Sequence, residues 1–450
     1  MKSITKQEMA SESLQQHRRF LAAVLNTSRE PLDAEENALA KAKFYRIIDL
    51  YSKRKRDRSK YNRHLLIRYT YEYALSEESR IHFLQTFFQA LELSIDGQGR
   101  VNLSDKEQAN GLWLKISAFA DFLVDNFYLP LKAAARRAPL PSLTSQPAVP
   151  DLITDPREDC LIRDRHRCII TQAFDFDEAV TRHKEHANDA LDDEGKSLFG
   201  GNHFLHLEAA PVLPHSLAEI GSSPSEESHT KKLTLAILNI FDHGIQDLIN
   251  ECVGTPRNAM TLTKNYHHMF AEFEIYFTRL DGPTYSPHTY RIEAFVPLAM
   301  RKELPATRTL RTVANGKPIA LPEPRFLALR RALAHVLYRS SAGTYIDELL
   351  TKLKEKPTEE NRSTELGLFA QLRLDGWCPS STTTTANSTA AANTIAAAST
   401  TAADTAADTA ADTAADTAAD TAADTAADTA ADTAADTAIN AAADGDDGRQ

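Results

Sequence analysis

The chain has 450 residues, enough for one large or two modest globular units, and its formal net charge is −11. Residues 379–450 hold 12 Asp and one Arg, so the preceding 378 residues carry 50 basic and 50 acidic side chains and are neutral. A nucleic-acid enzyme needs a basic face rather than a basic total. The charge balance therefore neither supports nor excludes such an enzyme.

The cysteines and the N-terminal residues argue against a zinc ribbon and a signal peptide. Cys160, Cys168, Cys252 and Cys378 form no CxxC pair, which argues against a zinc ribbon. Their spacing is typical of reduced, buried thiols, so we expect an intracellular protein, nuclear or cytoplasmic. The N-terminus has no apolar signal-peptide segment, and no run of 18 apolar residues occurs, so we expect no membrane span.

Residues 1–133 are predicted to form a helical N-terminal region. The clearest helix is Ser104–Leu129, which begins with a Ser-x-x-Glu capping box and is expected to end at Pro130. Apolar side chains recur in it every three or four residues and predict a buried stripe, formed by Leu112, Ile116, Phe119, Leu123 and Phe127. A second helix is predicted over Ala38–Leu50.

The strongest basic run lies between these two helices. It contains Lys53, Arg54, Lys55 and Arg56 and has a tyrosine near either end. Such a run indicates either a phosphate-contacting or nuclear-localisation segment, or a solvated helix end or loop. Both interpretations stay open on the sequence.

Residues 134–150 are rich in Ala, Pro and Ser and predict a linker to a second structured region, residues 151–300. That region begins with a second basic run, which contains Arg163, Arg165 and Arg167. These arginines are predicted either to contact substrate phosphates or to stay solvated.

Two strands and a helix are predicted inside the second region. The first strand is His203–Ala210, the second element begins at Asn258, and the helix spans Lys264–Phe273. A unit of this kind can carry metal-assisted phosphodiester cleavage. That chemistry needs His, Asn or Asp groups to hold a divalent metal and a base to take a proton from water.

Further elements follow in the C-terminal part. A helix is predicted over Lys232–Ile249, and two strand-like segments lie between Ala271 and Val296. Two more helices are predicted over Pro324–Ser340 and Thr344–Lys354. His335 lies on an apolar helix and is predicted to be a satisfied core histidine rather than a ligand.

The last segment, residues 379–450, has a different composition. It contains nine perfect Thr-Ala-Ala-Asp tetrads between Thr401 and Asp436. Its side chains are too small to build a core, and like charges four residues apart oppose a helix, so we expect disorder. The repetition indicates slippage in the coding DNA; the alternative is an acidic mimic of nucleic acid.

Several segments together resemble the fungal proteins that carry an HNH nuclease domain. The resemblance spans roughly residues 105 to 378. Besides the strand–helix segments, it rests on residues 119–134, 160–175, 237–245, 286–295, 330–347 and 363–367.

The resemblance implies roles for particular residues. Asn258 and His267 would take the Asn and second His roles and hold a divalent metal such as Mg²⁺. Nucleic acid would be the partner, with DNA favoured over RNA. His268 would point about 100° away from His267 on a helix and is not expected to be a ligand.

One position departs from the family pattern. The family reads AHILPHSL where this chain reads APVLPHSL, so Pro211 replaces the expected general-base histidine. Proline has no basic side chain and cannot accept a proton. His215 would be the replacement base, or else it caps a turn or bonds a backbone carbonyl.

The sequence therefore predicts an α+β fold with a small ββα-metal (HNH, His-Me finger) core. N-terminal and C-terminal helices would flank this core, with residues 301–378 as a helical extension and 379–450 as a disordered acidic tail. Two functions are expected. One is a DNA endonuclease-type hydrolase with weakened or lost activity, and the other is a catalytically inactive nucleic-acid-binding or scaffolding protein.

Overall fold

Amphipathic helices make up the N-terminal part of the chain in the computed structural model. The structure describes residues 6–26, 29–52, 61–95, 105–137, 156–215, 217, 229–297, 303–311 and 318–354, all within the compact unit Met1–Thr400. The N-terminal helices are α1 (Lys6–Leu25), α2 (Ala34–Ser52), α3 (Arg63–Glu72), α4 (Glu77–Ala90), α5 (Lys106–Leu123) and α6 (Leu129–Arg137).

The apolar stripe predicted for the fifth helix is buried as expected. Its members all pack into the core, namely Leu112, Ile116, Phe119, Leu123 and Phe127. The start of the helix differs from the prediction. Asp105 is the N-cap, with its carboxylate accepting from the backbone N–H of Glu107 at 2.9 Å, while Ser104 lies outside the described residues.

The expectation that Pro130 ends this helix is wrong. A π-helical turn, Val124–Tyr128, follows α5, and the chain continues into α6 with Pro130 as its second residue. Pro130 has no N–H to donate, and the first turn of a helix has no intrahelical partner for that group in any case. A new helix begins after the π turn, so Pro130 falls in a first turn, where its missing N–H is not needed.

The linker predicted over residues 134–150 does not begin at residue 134. Helix α6 extends to Arg137, and Ala134 and Ala135 are buried in the main hydrophobic cluster. Alanine has the highest helix propensity and is small enough to pack closely, which explains the outcome. The remaining linker residues, 138–150, lie outside the described residues. Side chains of the N-terminal helices, the central strands and the C-terminal helices join in one cluster, so the described part has a continuous core.

Short strands and helices alternate in the rest of the chain, which gives an α+β fold. The helices are α7 (Pro156–Arg163), α8 (Phe176–His186), α9 (His229–Phe241), α10 (Ile245–Cys252), α11 (Lys264–Ala271), α12 (Pro324–Arg339) and α13 (Ala342–Lys354). The strands are β1 (Phe174–Asp175), β2 (Phe204–Leu205), β3 (Leu207–Pro211), β4 (Ala259–Thr263), β5 (Ile275–Arg279), β6 (Thr289–Ala294) and β7 (Ala306–Thr309).

These strands form three small sheets. β1 pairs with β2 in parallel, β3 pairs with β4 antiparallel, and β5, β6 and β7 form an antiparallel sheet in that order. The C-terminal extension predicted as helical therefore begins with a strand. Helix α12 packs against β5 and α3, and α13 packs on α12.

Two predicted elements are interrupted in the structure. The strand predicted over His203–Ala210 breaks at His206, so that β2 pairs with β1 and β3 with β4. The helix predicted over Lys232–Ile249 breaks between α9 and α10, where Gly244 has φ +73°. Only glycine adopts this conformation without strain, so the break is encoded at that residue.

Strands β3 and β4 and helix α11 position the candidate site. Leu207 is opposite Thr263 and Pro211 is opposite Ala259, so the two strands are in register over their full length. Helix α11 follows β4 directly and packs on both strands, and α7 packs on both strands as well. Cys160 of α7 contacts Ala209 and Ala259, so the two helices cover the two faces of the pair.

None of the described helices is long and apolar enough to cross a membrane. The predicted tail, residues 379–450, lies outside the described residues, as does the end of the predicted extension, residues 355–378.

His335 was predicted to be a core histidine whose hydrogen bonds are satisfied. It is buried, but its hydrogen bonds are not satisfied. His335 is 7% exposed, and neither ring nitrogen has a hydrogen-bond partner among the described residues. Its ring stacks on Tyr73 at 4.8 Å and lies 4.6 Å from the ring of Tyr276. Burial, with Arg331 and Arg339 nearby, lowers the pKa of His335 to about 3.

We expect the buried side chain of Ile116 to stabilise the fold far more than the exposed side chain of Leu114 does. Ile116 is fully buried, whereas Leu114 on the same helix is 61% exposed. Ile116→Ala should lower the free energy of unfolding by about 2–5 kcal/mol in chemical denaturation, because it removes buried apolar volume. Leu114→Ala is the matched control and should change the free energy by less than about 0.5 kcal/mol. Equal effects would contradict this packing.

The buried histidine should make the fold acid-sensitive. The folded pKa of His335 lies below the value of about 6.5 that is usual for unfolded chains, so only the unfolded state takes up a proton between pH ~6.5 and pH ~3. Stability should therefore fall as the pH drops through this window. His335→Phe should flatten the dependence of the melting temperature on pH, whereas His243→Asn, at an exposed site, should leave it unchanged. Identical profiles for the parent and His335→Phe would refute the assignment.

Candidate functional site

A carboxylate and an imidazole meet on the α11 face of the strand pair. Nδ1 of His267 on α11 lies 2.7 Å from Oε2 of Glu208 on β3. The side chains are 12% and 29% exposed. A carboxylate at Nδ1 fixes the orientation of the ring and leaves Nε2 for another group.

Sequence reasoning missed Glu208 as a partner of this site. The signal was present, because Glu208 is the charged residue in the otherwise apolar strand LEAAP. Alternation places it on the opposite face from Ala209, which packs toward α7. His268 is exposed beside His267, as its position one residue along the helix predicts.

Asn258 is a structural clamp in this arrangement. It is 2% exposed, and its side-chain amide oxygen accepts from the backbone N–H of Leu213 at 2.9 Å. Its Nδ2 donates to the carbonyl oxygens of Leu213 at 2.8 Å and of Val253 at 3.1 Å. The amide therefore satisfies buried backbone groups on two segments, which is a requirement for a loop with a buried backbone.

Asn258 and the Glu208–His267 contact belong to opposite ends of the strand pair. Glu208, the partner of His267, is opposite Leu262, whereas Asn258 precedes the other end of β4. Four residues of extended strand separate Asn258 from Leu262, a distance of roughly 13 Å. Ligands of one Mg²⁺ each lie at about 2.1 Å from the ion, so two of them must come within about 4 Å of each other. This backbone separation does not by itself bring the two side chains together, and the predicted pair of metal ligands stays a prediction.

The described residues contain no group of three or more His, Cys, Asp or Glu side chains arranged to hold a metal ion. The amide of Asn258 is already committed to the backbone, whereas the bond from Nδ1 of His267 to Glu208 leaves Nε2 of that ring for another group. Asn258 is therefore engaged in the fold, and the metal role of Asn258 and His267 stays a prediction.

Pro211 occupies the last position of β3. It is buried and pairs with Ala259, and the next residue, Val212, donates its N–H to the carbonyl of Asn258 at 2.6 Å. A proline is tolerated at a strand end, where its missing N–H is not required. Alternation places its side chain on the same face as Ala209, toward Cys160 and away from the Glu208 face.

The predicted replacement base lies on a different segment from His267. Nε2 of His215 is 4.0 Å from the position that a Cβ would take at Gly254. Gly254 precedes Asn258 and therefore belongs to the Pro211 end of the strand pair. His215 therefore lies at this turn, at the opposite end of the strand pair from the Glu208–His267 contact.

The basic run at residues 163–167 is engaged within the protein. The side chain of Arg163 is 0% exposed and pairs with Asp164 at 2.8 Å. It also donates to the carbonyl oxygens of Pro256 at 2.7 Å and Ala259 at 2.9 Å. A buried guanidinium cannot reach a phosphate, so the prediction that Arg163 contacts nucleic acid is wrong. Its role is to join α7 to the start of β4.

Arg165 lies at the surface and Arg167 is largely enclosed, and both have partners. Arg165 pairs with Glu194 at 2.5 Å, with side chains 34% and 39% exposed. Arg167 pairs with Asp192 at 2.8 Å. The exposed Arg165–Glu194 pair is weak and can exchange partners. The Arg167–Asp192 pair is only 17% and 2% exposed, and Arg167 also donates to Asn202. A nucleic-acid role for Arg165 and Arg167 stays a prediction. Lys53, Arg54, Lys55 and Arg56 lie outside the described residues.

A fully buried arginine holds the loop after β3. Nη1 of Arg330 on α12 donates to the carbonyl of Val212 at 2.7 Å, and Nη2 donates to the carbonyl of Phe270. Its guanidinium lies 3.9 Å from the ring centroid of Phe270 and 4.1 Å from that of Phe273. Burial lowers the pKa of Arg330 to about 9, so it stays charged at neutral pH.

Comparison with known proteins gives no independent assignment. The chain matches no protein-family model, no curated protein and no solved structure.

Removal of the Asn258 amide should destabilise the whole fold. Asn258→Ala leaves buried N–H and C=O groups of Leu213 and Val253 without partners, and should lower the free energy of unfolding by at least about 2 kcal/mol. Asn265→Ala, at an exposed position of α11, is the matched control and should change it by less than about 0.5 kcal/mol. Denaturant titration measures both, and similar values for the two variants would rule out the clamp.

Proposed function

We propose that this chain is an HNH-type protein whose strand–strand–helix unit, β3–β4–α11, is kept as structure, and that it binds nucleic acid without hydrolysing it. The observation that carries the proposal is the use of Asn258. Its side-chain amide forms hydrogen bonds with backbone groups, two of them in the loop after β3, and none with a ligand group.

The order and register of the elements support the HNH-type part of the proposal. An antiparallel pair of strands is followed directly by a helix that packs on both strands. The predicted family segment ends its first strand at position 211 and carries its helical histidine at position 267. These positions fall at the end of β3 and on α11.

Two features support the loss of hydrolysis. Pro211 supplies no base, and general-base assistance is typically worth ~10²–10⁴ in rate. Asn258 and His267, moreover, lie at opposite ends of β4. Restoration of a base alone would leave these two groups apart.

The nucleic-acid partner rests on the resemblance and on the basic runs. Arg165 lies at the surface in an exchangeable ion pair with Glu194, and a phosphate group would compete with that carboxylate. We propose DNA in preference to RNA, as the resemblance implies.

The Glu208–His267 pair favours a second candidate, a hydrolase with weakened activity. A carboxylate that orients an imidazole is the arrangement used to prepare histidine as a base or a ligand. In this alternative Glu208 and His267 would provide the residual chemistry, with a divalent metal held through groups other than Asn258.

Plasmid nicking separates the two candidates. The full chain is incubated with supercoiled plasmid and Mg²⁺ or Mn²⁺, beside Pro211→His, His267→Ala and Glu208→Gln. We expect no nicking by the parent or by Pro211→His, because the side chain at position 211 faces α7 while His267 faces the other side of the strand pair. An unrelated active HNH enzyme is the positive control.

Two results would change the conclusion. Nicking by the parent that is lost in both His267→Ala and Glu208→Gln would establish the weakened hydrolase instead. Nicking gained by Pro211→His, and lost again when His267→Ala is added, would show that the missing base was the only defect.

A further inference from the structure

Five aromatic rings meet where α12 packs against β5 and α3, and we call them the aromatic patch. Tyr73 follows α3, Tyr276 lies on β5, Phe295 follows β6, and His335 and Tyr338 lie on α12. The ring of His335 lies at the centre. Its centroid is 4.8 Å from that of Tyr73, 4.6 Å from that of Tyr276 and 5.1 Å from that of Phe295. The rings therefore form one connected group.

The aromatic patch opens to solvent at Tyr338. One face of the Tyr338 ring stacks on Phe295, with the centroids 4.1 Å apart and an angle of 7° between the planes. Tyr338 is nevertheless 57% exposed. A ring that is covered on one face and exposed to this extent has its other face open. That open face is flat and is backed by a second ring, so it offers a stacking surface to another planar group.

Two arginines flank the patch. Arg339 follows His335 by four residues, so its side chain leans over the same turn of α12. Arg339 is exposed, and its guanidinium lies 5.6 Å from the ring centroid of Tyr69. Arg331 precedes His335 by four residues and lies on the same face of the helix. The open ring of Tyr338 thus has a cation on either side along α12.

The charge around the patch is positive. Nε of Arg331 donates to the neutral hydroxyl of Thr278 at 3.1 Å, and Arg331 forms no ion pair with any residue in the described ranges. Burial lowers the pKa of His335, and Arg331 and Arg339 lower it further. Both charged side chains that act on the central ring are therefore basic.

Two carboxylates near the patch already have partners of their own. Glu293 on β6 pairs with Arg291 at 3.2 Å. Glu72, the neighbour of Tyr73 in the chain, pairs with Arg68 at 2.8 Å. Each pair is close to neutral, so these carboxylates leave the charge of Arg331 available to attract an anion.

We propose that the aromatic patch binds single-stranded DNA, with a base stacked on the open face of Tyr338 and backbone phosphates beside Arg331 and Arg339. Stacked aromatic rings next to basic side chains are the arrangement that binds single strands with little sequence preference. A single strand suits the patch better than a duplex, because the bases of a duplex are already stacked on each other. The inference rests on the proposed nucleic-acid function and names the surface that would carry it.

Fluorescence anisotropy of the full chain with a labelled single-stranded oligothymidylate tests the patch. Tyr338→Ala should weaken the affinity by about fivefold to about a hundredfold, because one base loses its stacking partner. Tyr338→Phe keeps the ring and should bind as the parent does. Circular dichroism melting checks that both variants remain folded, which we expect because Tyr338 is exposed.

Tyr285→Ala is the matched control. Tyr285 is 45% exposed and lies in the loop before β6, at the opposite end of that strand from Phe295, so its loss should leave the affinity unchanged. Arg331→Gln tests the phosphate contact separately. The slope of log affinity against log salt concentration should become shallower by about 0.7, as expected for one lost phosphate contact to a single strand. This slope decides the case if Tyr338→Ala does not fold.

The outcomes separate the patch from the proposed function. Equal affinities in the parent and Tyr338→Ala, or binding of duplex DNA alone, would overturn the patch and leave the proposed nucleic-acid function standing. An equal loss in Tyr338→Phe would overturn base stacking. Binding of neither single strand nor duplex would overturn both. Self-association of the parent that Tyr338→Ala abolishes, measured by light scattering without oligonucleotide binding, would show instead that a second copy of the chain covers the patch.

Discussion

The structure around the candidate site depends on the need to satisfy the buried backbone that follows β3. The chain leaves the strand at Pro211 and passes through Val212 and Leu213, both fully or almost fully buried. The amide of Asn258 pairs with the N–H and the carbonyl of Leu213, and Arg330 pairs with the carbonyl of Val212. Unpaired backbone groups there would cost free energy comparable to several lost hydrogen bonds.

This requirement determines which polar groups remain for chemistry. Asn258 and Arg330 are polar residues near the site, yet both are committed to backbone carbonyls. Arg163 is committed in the same way to the turn before β4. The pair Glu208–His267 is not used in this way and is partly exposed, with 29% and 12% of the side chains open to solvent. The strand–strand–helix unit thus has a strong reason to persist as structure, whether or not it supports a reaction.

The sequence predicted the secondary-structure elements better than the roles of individual polar residues. Helical periodicity predicted the buried stripe of α5, and alternation predicted β5 and β6, because these patterns record a single apolar face. Pro130 and residues 134–137 were misassigned, because a π turn and alanine packing depend on tertiary contacts that local composition does not record. Arg163 was misassigned for a related reason, since its partners lie about a hundred residues away in the chain. Glu208 was missed because its partner, His267, is brought to it only by the pairing of β3 with β4 and the packing of α11.

The central claim is that the polar groups of this unit serve its fold and do not assemble a metal centre. Binding of Mn²⁺ to the full chain, followed by electron paramagnetic resonance, tests this most directly, beside His267→Ala with the fold confirmed by circular dichroism. We predict that the parent and His267→Ala bind Mn²⁺ with the same stoichiometry and affinity. A single Mn²⁺ site in the parent that disappears in His267→Ala would contradict the account.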